Sequence, residues 1–477
     1  MNVLFPIAEA APFVQIGGLG EIGGSLPKFI NKTNKTKVRV IMPKYRAIPN
    51  FFSKQMKEVV NFEMFLSWRR IKCIVEEMEW EGVHYYFVTN EYYFERDEIY
   101  GYDDDGERFA FFCKAVLESL PYLDFQPDII HCHDWHTALI PFLLQEHYRV
   151  QPYYFEIKSI LTIHNLKHQG RVPLTYFSDV LGCSHHNKAA WHKLEYYGQL
   201  NYLKAGLLSA NRITTVSPTY AQEIQDSYYG EGLDGILRQR GSDLVGILNG
   251  IDTQKYNPET DSMIYEKYRS SLEKKAKNKC MLQEHLQLPI NAEVPLLSVV
   301  SRLVEQKGLD LLNHIFEELL SMDVQVVVLG NGQPEYEQRL RELAERYPDK
   351  LAIRLYFSED LAHKIYAASD ILLMPSQFEP CGLSQMIAMN YGTLPIVRET
   401  GGLRDSVVPY NEETCEGNGF SFANYNAHEL LFTVQRAVKL YVEQKNIWKH
   451  LVNNALKSNF TWKESAIHYL DLYKSMS

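Results

Sequence analysis

A glutamate, two cations and a set of glycine turns are the residues of this chain best placed to do chemistry. Glu379 lies in I-L-L-M-P-S-Q-F-E-P-C-G-L-S-Q-M-I-A, residues 371–388. Ile371 to Met374 suit a short buried parallel strand, Pro375 ends it, and Gly382 with Leu383, Met386, Ile387 and Ala388 opens a helix with one apolar face. That pattern sets Glu379 in the crevice at a strand's carboxyl end, where open α/β sheets hold their ligands. A lone carboxylate there could equally cap the helix N-terminus. Arg302 and Lys307 stand in V-V-S-R-L-V-E-Q-K-G-L-D, in a strand-to-helix turn that Gly308 closes. Alone they could be solvated surface charges; held together they make a clamp for a diphosphate, whose departing charge fixed cations stabilise. E-T-G-G-L-R-D-S, with Glu399, Thr400, Gly401 and Gly402, follows another strand and reads as a second backbone cradle.

The first half offers a glycine loop and a histidine cluster. In Q-I-G-G-L-G-E-I-G-G-S-L-P, residues 15–27, Gly18, Gly20 and Gly23 formally match G-x-G-x-x-G. The context argues against a dinucleotide site: the glycines start some ten residues after the first strand, and the second strand, V-R-V-I-M-P-K-Y, ends without an acidic residue for a ribose. The better reading is a loop whose bare backbone approaches a substrate phosphate. In D-I-I-H-C-H-D-W-H-T-A, His131 and His133 share a strand face, and His164 and His168 of T-I-H-N-L-K-H-Q-G could complete a metal site. No carboxylate-rich or H-E-x-x-H arrangement accompanies them. Asp134 and His164 instead suit hydrogen bonds to sugar hydroxyls, with the Trp135 ring against a sugar's apolar face.

The elements that must position these residues alternate along the chain, strand-like runs with helical stretches, which implies parallel sheets. The alternation breaks over residues 252–293, a polar stretch rich in Lys and Glu, and restarts at P-L-L-S-V-V. The expected architecture is therefore α/β, with two doubly wound Rossmann-like domains facing each other across a cleft. Residues 1–251 would form the first, 252–460 the second, and 461–477 a C-terminal helix with Ile467, Leu470 and Tyr473 on its packing face, returning to the first domain. A length of 477 residues fits two cores better than one. No apolar run approaches the ~18 residues that span a bilayer, and the N-terminus has no basic segment of a signal peptide. The seven cysteines are odd in number, scattered and without C-x-x-C, which points to reduced thiols in the cytoplasm. A net charge of −10 disfavours nucleic acid or an anionic membrane as partner and leaves a neutral polymer acceptable.

Taken in order, G-G-L at 17–19, H-D-W-H at 133–136, T-I-H-N at 162–165, N-G-I-D at 249–252, S-R-L-x-x-Q-K-G at 301–308, F-E-P-C-G-L at 378–383 and T-G-G-L at 400–403 make the chain resemble the bacterial glycogen synthases and plant starch synthases, family five glycosyltransferases of GT-B fold. The resemblance spans essentially the full length. It implies transfer of glucose from a nucleotide-glucose, usually ADP-glucose, to the non-reducing 4-hydroxyl of an α-1,4-glucan such as glycogen, with retention and with no metal or other cofactor. It further implies that Arg302 and Lys307 hold the diphosphate, that Glu379 and His164 contact the donor glucose, and that Asp134, Trp135 and Asn249 line the active cleft. Tyr356 would lie against the base, with backbone around Gly18, Cys381, Gly382, Leu383, Thr400, Gly401 and Gly402 completing the donor site. Three positions depart from the family pattern: Gln15 stands where a lysine is usual, Glu21 where an aspartate is usual, and Gln377 where bacterial members often have arginine. The first two touch the donor loop, so the sequence leaves ADP-glucose and UDP-glucose both open. It also leaves open whether Glu379 positions the sugar during same-face attack or bonds to it covalently.

Overall fold

The computed structural model describes residues 1–33 and 35–476, which form two compact units: Met1–Asn249 together with the chain from Trp462 onward, and Gly250–Thr461. No described helix is long and apolar enough to cross a membrane.

The first unit is built on a nine-stranded sheet. Its spatial order is Leu244–Gly246, Arg212–Thr215, Lys158–Ile163, Ile129–His133, Asn2–Pro6, Lys37–Pro43, Val83–Thr89, Arg69–Trp80, Lys57–Leu66. The first seven are mutually parallel. Their near-continuous apolar runs are those of strands covered on both faces; Val3, Leu4 and Phe5 are fully buried. The last two form an antiparallel hairpin that the expectation of parallel sheets missed. Its signal was present as period-two alternation: Met64, Leu66, Cys73 and Val75 are buried while Phe65 is exposed. The strand order reverses at the neighbours Asn2–Pro6 and Ile129–His133, so the loops leaving their carboxyl ends, which carry Glu9, Gln15 and Asp134, flank the switch point.

The glycine stretch is a helix, Gly18–Asn31, where a loop was expected. Its interior glycines serve packing: a Cβ on Gly23 would stand 2.5 Å from the Glu9 carbonyl oxygen, and one on Gly24 2.4 Å from that of Ala11. Only Gly17 and Gly18, at the open N-terminus, remain exposed.

The second unit holds a six-stranded sheet, parallel throughout, in the order Leu351–Arg354, Gln325–Leu329, Leu296–Val300, Ile371–Met374, Leu394–Arg398, Phe420–Phe422. Its switch point lies between Leu296–Val300 and Ile371–Met374. The loops that follow these strands are the ones with Arg302, Lys307 and Glu379, so the sequence order by itself brings the charged residues to one place. The polar stretch at 252–293 is no mere spacer. It contains the helix Leu272–Leu286, whose Lys275 and Lys279 are buried: Lys275 Nζ donates to the carbonyls of Ala367 and Tyr391, and Lys279 Nζ lies 2.6 Å from Asp370. Composition misled because these lysines are paired inside the core.

The C-terminal helix, Trp462–Lys474, packs on the helix Gly18–Asn31 of the first unit. It buries Trp462, Ala466, Tyr469, Leu470 and Tyr473, whereas Ile467 is 44% exposed and was wrongly placed on the packing face.

Candidate active site

In the second unit the two loops at the switch point are locked together. Gly308 has φ +75°, and a Cβ there would stand 2.2 Å from the Pro375 carbonyl oxygen, so the turn demands glycine on both counts. Gln377 N–H donates to the Gln306 carbonyl at 2.9 Å. Across this seam Lys307 Nζ lies 2.5 Å from Glu379 Oε2, which also accepts from Ser376 Oγ at 3.0 Å. Glu379 is buried and is no helix cap: the helix starts at Ser384, later than Gly382, with no side chain bonded to its first turn. Arg302 is exposed and pairs with no carboxylate among the described residues.

The T-G-G-L turn packs against the Glu379 loop. Gly402 N–H already donates to the Glu379 carbonyl at 3.1 Å, so it is not a free donor. A Cβ on Gly401 would stand 2.0 Å from that same oxygen, and one on Gly402 2.1 Å from the Cys381 carbonyl oxygen. These glycines let the helix Gly401–Ser406 seat directly on the Glu379 loop. Thr400 and Cys381 are buried beside it, and Leu383 precedes the helix at Ser384. Two supports escaped the sequence reading. Arg398 donates from Nε to the Ser376 carbonyl at 3.1 Å, and buried Gln385 donates from Nε2 to the carbonyls of Cys381 and Gly382. Neither type announces such a role, since both are commonly solvated. Tyr356, just beyond the strand Leu351–Arg354, is half exposed.

The first unit's residues are of another kind. Asp134 follows the strand Ile129–His133 with φ +55°, a conformation a non-glycine residue holds only when its surroundings dictate it. Its Oδ1 accepts from His164 N–H at 2.7 Å and from Asn165 N–H at 3.4 Å. Burial pushes the Asp134 carboxyl up to about 7 despite those two donors, and the charge of Glu9 adds to the rise. His133 Nδ1 lies 2.9 Å from His164 Nε2. Burial lowers His164 to about 3 and holds His133 well below the ordinary imidazole range, so both rings are neutral. His131 bonds Tyr473 OH at 2.8 Å and Thr162 Oγ1 at 2.6 Å. Among the described residues no group of three His, Cys, Asp or Glu side chains is arranged to hold a metal ion.

Trp135 packs against Phe109 and His136, ring centroids 5.2 and 4.3 Å away. Asn249 is buried, and its Oδ1 has no partner among the described residues. Gln15 is exposed, while Glu21 is buried and accepts from Ser25 Oγ at 3.2 Å. The sequence reading missed Glu9, whose buried carboxylate ties down the loop at Gln15 and Ile16: Oε2 accepts from Ile16 N–H at 2.6 Å and Oε1 from Tyr100 OH at 2.8 Å.

Residues 2–239 match the starch synthase catalytic domain and residues 282–456 the glycosyl transferases group 1. Over the whole chain, the glycogen synthase of Anoxybacillus flavithermus is 50% identical, with 98% of that protein covered, and that of Desulfitobacterium hafniense is 50% identical, with 99% covered. The chain belongs to the glycogen synthase family. Among solved structures, the catalytic domain of starch synthase IV from Arabidopsis thaliana, bound to ADP and acarbose, superposes with TM-score 0.90 at 32% identity, covering 100% of this chain and 99% of that one. The sucrose-phosphate synthase of Thermosynechococcus elongatus, at 16% identity and TM-score 0.60 over 100% of this chain and 98% of its own, shares the fold alone. This glycogen synthase family member thus has the GT-B fold.

Proposed function

We propose that this chain extends an α-1,4-glucan by moving glucose from ADP-glucose to its non-reducing 4-hydroxyl with retention, in glycogen biosynthesis. It is a retaining glucosyltransferase. The observation that carries the mechanism is the Lys307–Glu379 pair at the switch point of the second unit, with Arg302 exposed on the same loop. The second unit takes the donor. Arg302 and Lys307 meet the diphosphate, and Tyr356 meets the base. The relative's complex with ADP and acarbose supports an adenine nucleotide as the ligand.

Cleavage of the bond between the anomeric carbon and the β-phosphate oxygen leaves its electron pair on that oxygen, where fixed cations act most strongly. The acceptor hydroxyl oxygen bonds to the anomeric carbon on the same face, and its proton passes to the departing phosphate oxygen. ADP and a glucan one glucose longer result. Glu379 offsets positive charge on the sugar. A carboxylate held at 2.5 Å by an ammonium group is a poor nucleophile, which favours this course over a covalent glucosyl-enzyme. The first unit takes the acceptor side, and its Asp134, His164, Trp135 and Asn249 contact sugar. Gly18 and Gln15, at an exposed helix N-terminus, add donors toward phosphate or sugar. The cytoplasm is the compartment, supported by seven cysteines that are all free thiols.

Incorporation of radiolabelled glucose into glycogen, compared for ADP-glucose and UDP-glucose, tests this reading. Faster incorporation from ADP-glucose is expected; a preference for UDP-glucose would show that Gln15 belongs to a differently built donor site.

A further inference from the structure

The mechanism uses His164 but leaves its neighbour His133 without a role, although His133 is the more deeply buried of the two. Its ring is confined. Phe5 lies 4.0 Å away between centroids and His131 4.4 Å away, and His131 is itself anchored by Tyr473 OH and Thr162 Oγ1. Backbone register fixes the second ring too, because His133 pairs with Thr162 on the neighbouring strand and His164 follows that strand. The only protein contact between polar ring atoms of the pair is His133 Nδ1 to His164 Nε2, at 2.9 Å. The outer nitrogens, His133 Nε2 and His164 Nδ1, are buried without a partner among the described residues.

Two neutral imidazoles joined in this way share one N–H···N bond, and only two arrangements exist. If His164 Nε2–H donates, His133 must carry its own proton on Nε2, as an orphan donor wedged between Phe5 and His131. If His133 Nδ1–H donates, His133 Nε2 is a bare lone pair and the remaining proton sits on His164 Nδ1. A buried donor without an acceptor is the rarer and costlier defect. Both outer nitrogens are buried in the free protein, but His164 as a residue is only partly buried and, on the reading above, faces a sugar whose hydroxyl oxygen would accept from Nδ1–H, whereas His133 is fully enclosed.

We propose that His133 is a positioning residue that fixes His164 as the Nδ1–H tautomer, so that His164 meets the sugar as a hydrogen-bond donor to a hydroxyl oxygen. This rests on the reading that His164 touches the donor sugar. It gives a role to both histidines at the carboxyl ends of adjacent strands. One ring is substrate-facing; the other holds its proton in place. His133 then acts only through His164.

The test uses protein with 15N-labelled histidine rings, His164 being assigned by the signals missing from His164→Ala. Long-range 1H–15N spectra of the wild type should show His164 protonated on Nδ1. His133→Phe keeps an aromatic ring between Phe5 and His131 but has no donor. It should shift His164 toward the Nε2–H form and lower kcat/KM about three- to tenfold, the worth of one neutral hydrogen bond. His133→Asn, whose amide N–H can stand in for Nδ1–H, should restore the wild-type tautomer and most of the activity. On a His164→Ala background, His133→Phe should add no further loss. A wild-type His164 protonated on Nε2, or a tautomer unchanged by His133→Phe, would overturn the proposal. Full activity of His164→Ala would instead overturn the reading of His164 as a sugar contact, and the spectra would still decide the tautomer.

Discussion

The two units place functional groups at equivalent points of similar sheets, yet the groups are chemically opposite. At the switch point of the second unit stand formal charges, with Glu379 paired to Lys307 and Arg302 exposed. At that of the first stand buried groups that burial drives toward neutrality: His133 and His164 uncharged, and Asp134 raised to about 7. The second unit thus suits a reaction step in which charge develops on phosphate, where each fixed donor counts for most. The first suits recognition of uncharged hydroxyls, where oriented donors and acceptors matter and net charge would only raise the cost of desolvation. The fold supplies the location in both cases, and the side chains decide the chemistry.

Glu379→Ala should break the comparison most severely. It removes the carboxylate proposed to face the sugar and leaves Lys307 without its partner, so kcat should fall by roughly 10³-fold or more while ADP binding changes little. Steady-state kinetics with ADP binding by calorimetry would show it, and near-normal kcat would remove Glu379 from the mechanism. Lys307→Ala should lower kcat by roughly 10²–10³-fold, the usual loss of one donor at a developing charge. Chelation by EDTA should leave wild-type activity intact if Arg302 and Lys307 take the role of a metal, as proposed. Restoration of lost activity by Mg²⁺ after chelation would contradict that.

On the first unit the expected effects are smaller and depend on pH. The folded Asp134 carboxyl titrates near 7 against an ordinary 3.8, so between those values the folded state binds the extra proton. Its contribution to stability is complete below about pH 4 and is lost as pH climbs through about 7. Asp134→Asn should flatten that part of the stability profile, measured as Tm from pH 4 to 8. An unchanged profile would mean that Asp134 is not the group responsible. The smallest effect belongs to Gln15. A glutamine amide donates a neutral hydrogen bond where a lysine would add a charge-assisted one, so Gln15→Lys should lower KM for ADP-glucose about tenfold and leave kcat within a few-fold. Loss of activity in Gln15→Lys would mean that the loop is built differently around its donor.

Much of this was legible before any coordinates. The strands that carry function announce themselves as apolar runs, and Glu379, Arg302 and Lys307 follow from strand-to-helix turns alone. What stayed hidden depends on contacts remote in sequence. Gly401 and Gly402 read as a backbone cradle, and their close packing on the Glu379 carbonyl stayed hidden because a glycine looks the same whether a phosphate or another backbone lies against it. Lys275 and Lys279 looked like a solvated spacer because their partners, the Ala367 and Tyr391 carbonyls and Asp370, lie about 90 residues or more away. Arg398, Gln385 and Glu9 were missed although their partners lie nearer in the chain, because Arg, Gln and Glu are commonly solvated. The hairpin Lys57–Leu66 and Arg69–Trp80 was legible and overlooked, since its alternation sits among longer apolar strands.

The division between a charged unit and a neutral one is tested most directly by the affinity for ADP alone, measured by calorimetry on the wild type, Arg302→Ala and His164→Ala. A cation that holds diphosphate contributes to ADP binding without any sugar present, whereas a group that recognises sugar hydroxyls does not. Arg302→Ala should weaken ADP at least about tenfold, the loss of one charge-assisted contact, while His164→Ala should leave it within about twofold. Equal losses in the two variants, or a larger one in His164→Ala, would contradict the account.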